Sequence, residues 1–73
     1  KRIRFVIRKD VAQLFDGDLL VAEGEVIGRD CSQRPSTIAF PVWAIGRLAD
    51  TINALAASYD LRAGPTHLVA VRS

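Results

Sequence analysis

A chain of 73 residues with a single cysteine, Cys31, has no internal disulfide to hold it together. Domains of this size bury only about 60% of the surface their unfolded chains expose, so the apolar side chains must fill one core efficiently. They are numerous enough: 49% of residues are hydrophobic and 25% charged, the balance of a globular domain and not of a disordered one. The length suits one domain over 1–73. The lone cysteine favours a reducing compartment, and a cytoplasmic location is the expectation. No apolar stretch follows the basic N-terminus as it would in a signal peptide. The longest apolar-rich run, Ile38 to Ile45, is broken by Pro41 and falls far short of the ~20 residues a bilayer requires, so no membrane role is expected.

Hydrophobic periodicity suggests the elements. Residues 2–8 alternate, with Ile3, Phe5 and Ile7 on one side and Arg2, Arg4, Val6 and Arg8 on the other, the pattern of a half-buried strand. Asp10 to Gly17 reads as a connection with a short helical turn that buries Val11, Leu14 and Phe15; a hairpin loop closing at Asp16-Gly17 is the alternative. Leu19 to Ile27 reads as a second strand, with Leu20, Ala22, Gly24 and Val26 on one side. Gly24 inside it implies a bulge or a close backbone approach. If this strand pairs with the first, Glu23 and Glu25 face Arg4 and Arg8. A polar loop follows from Gly28 to Ser36, then a short third strand over Thr37 to Phe40. Pro41 is a favoured first helical residue. From it Ile45, Leu48, Ile52, Leu55 and Tyr59 recur every three or four positions, the stripe of one long amphipathic helix with Ala49 and Ala56 widening it. On this reading an aspartate at Ile52 unfolds the domain. Gly64-Pro65 ends the connection over Asp60 to Pro65, and Thr66 to Arg72 forms a fourth strand. The expected fold class is α+β: a small antiparallel sheet of about four strands with one long helix on one face, in the order strand, short turn, strand, strand, helix, strand.

Reactive chemistry is sparse. A metal site needs three or four close ligands, and the chain has one cysteine and one histidine 36 positions apart, so no metal and no cofactor are expected. Cys31, His67 and a carboxylate from Asp30 or Asp60 supply the residue types for nucleophilic catalysis. One helix on one sheet leaves little room for the pocket that catalysis needs, and a non-enzymatic role is the expectation. The glycines are scattered and form no phosphate loop.

Several surface features remain as candidates for partner binding. The arginine row Arg2, Arg4 and Arg8 can lie along a phosphate backbone or an acidic protein, or can blunt an edge strand. Arg29 and Arg34 sit in the polar loop. Trp43, placed on a helical wheel, lies about 160° from Ile45, away from the apolar stripe and beside Arg47, Asp50 and Ala54. Tryptophan and arginine are enriched at interface hot spots. The alternative for Trp43 is packing beneath the Cys31–Pro35 loop. Ala54 and Ala57 permit close approach of another helix, hence a possible homodimer. In size and plan the chain resembles small inhibitor proteins carried by phages and mobile elements, anti-CRISPR proteins among them. That resemblance implies a non-enzymatic module that sterically blocks a protein partner. The pI of about 9.2 does not suit an acidic DNA mimic. A nucleic-acid-binding accessory protein using the basic first strand is the alternative.

Overall fold

Two-residue turns organise the first half of the chain. In the computed structural model, which describes residues 3–73, β1 (Ile3–Arg8) turns at Lys9 and Asp10 into β2 (Val11–Asp16). β2 turns at Gly17 and Asp18 into β3 (Leu19–Arg29). The first residue of each turn has a positive φ, 51° at Lys9 and 64° at Gly17. Glycine adopts this region freely. Lys9 carries a Cβ, and its carbonyl is held by a hydrogen bond from the Arg29 guanidinium. The chain continues as β4 (Pro35–Pro41), a 3-10 turn (Val42–Ala44), α1 (Leu48–Leu55), β5 (Tyr59–Ala63) and β6 (His67–Arg72). All pairings are antiparallel, in the order β1-β2-β3-β4-β6-β5, so the last strand inserts between β4 and β5.

The sheet is rolled. In a flat sheet five strand spacings would separate β1 from β5 by roughly 24 Å. Instead the rings of Phe5 on β1 and Tyr59 on β5 lie 6.2 Å apart between centroids. The inner face of this open barrel is the core, built from Ala12, Leu14, Ala22, Val26, Ile38, Phe40, Leu68 and Ala70. Small residues on β2 and β3 make room for large ones on β4. A Cβ at Gly24 would sit 2.7 Å from both the Ala39 carbonyl oxygen and the Phe40 ring, so the close approach implied by the sequence is real. The helix lies against β3 and β5, strands that β4 and β6 separate in the sheet order, and so spans the rolled sheet. It buries Thr51 and Leu55. The Thr51 hydroxyl is satisfied by donating to the Arg47 carbonyl at 2.7 Å, which permits its burial.

The expected four-strand sheet beneath one long helix is corrected by this architecture: the described residues are mostly β, with six strands and a helix of 8 residues. Two segments account for the difference. Val11 to Phe15 forms β2 and contains no helical turn; Ala12 and Leu14 point inward and Val11 is exposed. Val11, Leu14 and Phe15 have helical spacing only because Phe15 is apolar on the outer face, where the Arg4 guanidinium sits 4.7 Å from its ring centroid. Pro41 ends β4 in extended conformation, with ψ 140°, and begins no helix. Beyond it the backbone is captured by neighbouring strands. Val42 donates to the Thr66 carbonyl at 3.0 Å, and Gly46 and Arg47 both donate to the Val21 carbonyl, at 2.8 and 3.3 Å. Helix therefore starts only at Leu48, and Tyr59 belongs to β5.

The expected stripe dissolves accordingly. Leu55 and Tyr59 are buried and Ile45 is half-buried, whereas Leu48 and Ile52 are 56% and 37% exposed. Ala49 and Ala56 are also exposed, and Ala54 packs against the core in place of a second helix. Three smaller expectations change as well. Tyr59–Ala63 is a strand, and only Gly64 to Thr66 is turn. A bulge on β3 buries Val21 together with Ala22 and turns Leu20 outward. β2 intervenes between β1 and β3, so Glu23 and Glu25 stand opposite Gln13 and Val11 and not opposite the arginines.

These placements predict distinct thermal behaviour. Gly24→Ala should cost about 1–3 kcal/mol through overpacking, at about 4–8 °C per kcal/mol for a domain of this size. Leu55→Asp should unfold the protein and Ile52→Asp should leave it folded, as read by circular dichroism melts.

Candidate functional site

Residues that alternate outward on β2, β3, β4 and β6 line a groove on the outer face of the sheet. Val11 is registered with Glu25, Glu25 with Ala39, and Pro41 with His67, so the floor crosses these four strands. The turn residue Asp10 stands at one side. Trp43 and Ala44, on the 3-10 turn that follows Pro41, form the opposite wall. The enclosed volume is about 390 Å³, open to solvent, with Glu23 and Glu25 both facing it.

Trp43 dominates the wall. It is 75% exposed, the largest exposed apolar side chain among the described residues. Its ring stands edge-on to His67, with centroids 5.8 Å apart at 69°. His67 is itself fixed by the Thr66 hydroxyl, 2.9 Å from Nδ1. The indole is thus braced on one side and open on the others. Its expected partners on a helix face are not beside it in that way, because Trp43 and the helix belong to separate elements. Packing of Trp43 beneath the Cys31–Pro35 loop does not suit its exposure either.

The groove carboxylates differ in how they are engaged. Asp10 lies 3.4 Å from the Arg29 guanidinium. Glu23 accepts a hydrogen bond of 3.0 Å from the neutral Gln13 amide. The Glu25 carboxylate makes no hydrogen bond or ion pair with the described residues.

The arginines singled out in the sequence are distributed around the molecule and do not converge. Arg4 and Arg8 are exposed on β1; Arg4 covers Phe15, and Arg2 lies outside the described residues. Arg29 ties the β1–β2 turn to the following loop by donating to the Lys9 and Gln33 carbonyls, the latter at 2.8 Å. Arg34 is exposed in a loop that Asp30 organises, its carboxylate accepting from the Ser32 and Arg34 amides at 2.8 and 2.9 Å. Arg47 bridges Asp16 and Asp50 at 3.4 and 3.5 Å, fastening the start of α1 to the β2–β3 turn. These pairs are partly exposed and each contributes at most about 1 kcal/mol.

The residue types needed for cysteine catalysis are not brought together. β4 runs from Pro35, beside Arg29, to Pro41, beside His67. The Cys31 loop and His67 therefore lie at opposite ends of a strand, roughly 20 Å long for its seven residues. Among the described residues no three His, Cys, Asp or Glu side chains are grouped to hold a metal ion. None of the described helices is long and apolar enough to cross a membrane.

The groove itself was not visible as a unit in the sequence. Trp43 and, separately, the shared face of Glu23 and Glu25 were, but Asp10, Ala39, Pro41 and His67 join them only through strand register. Because Trp43 contributes little to the core, Trp43→Ala should shift the melting temperature by less than about 4 °C, the range of a surface substitution within ±0.5 kcal/mol; a larger drop in a calorimetric melt would make it structural. Comparison of the chain with protein-family models, with curated proteins and with solved structures found no match.

Proposed function

We propose that this chain is a non-enzymatic protein-binding module whose contact surface is the Trp43 groove. The exposure of Trp43 carries the reading. Leaving an indole 75% in water forgoes a large hydrophobic gain, and the domain has no other use for it in packing. A braced aromatic side chain at the lip of a groove is the form an interface anchor takes, because little conformational entropy is lost when it docks. Such a module acts by occupying its partner's surface. The small inhibitors of phages and mobile elements, the anti-CRISPR type included, work on this principle. The likeness to them was one of size and overall plan; the long helix of that plan is absent, so what remains of the likeness is size.

A second reading, binding of nucleic acid, has one observation in its favour: Arg4 and Arg8 on β1 and Lys9 in the turn that follows are all exposed. Their charge would act mainly on phosphates, and affinity would fall steeply with salt.

Immobilised wild-type and Trp43→Ala proteins, exposed to extract of the source cell with and without nuclease treatment, separate the two. The proposal expects one protein species retained by the wild type, displaced by soluble wild type, and lost with Trp43→Ala. Retention that disappears on nuclease treatment, or that ignores the Trp43 substitution, would overturn it.

A further inference from the structure

We propose that the Trp43 groove takes an arginine- or lysine-bearing segment of the partner protein, an inference that rests on the groove being the contact surface. The electrostatics of the lining are one-sided. Asp10, Glu23 and Glu25 bring carboxylates to it, and among the described residues no lysine or arginine lines it. Among the described residues, only Asp10 of the three has a cation within ion-pair distance, Arg29, which lies outside the lining. The Glu23 carboxylate is hydrogen-bonded to a neutral amide, and the Glu25 carboxylate has no partner among the described residues. The groove thus keeps negative charge on a chain whose formal net charge is +2. An acidic patch on a basic protein attracts cations only locally, so it selects where a basic segment lands.

The indole completes a cation site. Its face accepts a guanidinium or ammonium, better than any other side chain does. Arginine suits the site on two counts, because its planar fork can stack on Trp43 while donating to a carboxylate at its edge. The apolar part of the lining, Val11, Ala39, Pro41 and Ala44, offers a surface for the methylene stem of either basic residue. A phosphate-bearing ligand meets the opposite situation here, three carboxylates and no cation in the lining.

The test is a titration of the isotope-labelled protein with two short peptides, one alternating glycine and arginine and one alternating glycine and glutamate, followed by amide and indole resonances. The arginine peptide should give saturable shifts at Val11, Glu23, Glu25, His67 and the Trp43 indole, weakening as salt is added. Trp43→Ala and Glu25→Gln should each reduce its affinity about fivefold, the size of one cation–π or charge contact. Equal binding of the glutamate peptide, shifts centred on Arg4 and Arg8, or no binding of the arginine peptide would overturn the inference. So would groove shifts that grow with protein concentration alone, which would assign the groove to a second copy of the chain. If the arginine peptide fails while Trp43-dependent capture of a partner persists, the groove stands as a protein site and only its preference for cations falls. If capture does not depend on Trp43, both fall.

Discussion

Phe40 occupies space that Gly24 leaves empty, and most of the architecture depends on that contact. With no side chain at position 24, the ring on β4 lies directly over the β3 backbone. The core can then be shared between large residues on β4 and small ones on β2 and β3, Ala12 and Ala22 among them. A sheet packed unevenly in this way closes around its own inner face, bringing Phe5 to Tyr59. A chain without disulfides needs this economy, because a sheet left flat would expose one whole apolar face that a helix of 8 residues cannot cover.

Strands whose two faces differ in polarity were legible. Ile3–Arg8 reads correctly because the arginines mark its outer side, and β6 because Leu68 and Ala70 alternate with outward residues. β2 misled because its outward side carries Phe15, an apolar ring shielded by Arg4 and not by the core. Ala12, the residue that would have restored a period of two, is too small to stand out as core. The long helix misled for another reason. Ile45, Leu48, Ile52, Leu55 and Tyr59 keep helical spacing across three different conformations, and the tertiary hydrogen bonds to the Val21 carbonyl decide where helix begins. No local propensity encodes a carbonyl more than twenty residues away.

The candidate site was legible in part for the same reason. Single residues of unusual character, Trp43 above all, can be picked out of a sequence. A groove that joins a turn, four strands and a 3-10 turn exists only once register is fixed. Asp10 and His67 are 57 positions apart in the chain and line one surface because β2, β3, β4 and β6 are neighbours. The arginines show the converse. Arg29 and Arg47 stand out as charges in the sequence, but in the fold they are engaged in holding turns and the start of the helix.

The meeting of Phe5 and Tyr59 has a consequence for recognition. An open sheet presents two free edges, and many small β domains bind by letting a foreign strand add to one of them. Here the two outermost strands turn toward each other, with Arg72 stacked over the Tyr59 ring at 5.4 Å beside the seam. Among the described residues no hydrogen-bonded ladder joins these two edges, so a segment that adds to either one does so beside this aromatic contact and not on a flat, open border. With the Trp43 groove as the proposed contact surface, selectivity would reside in a few exchangeable side chains on a frame that need not change with them.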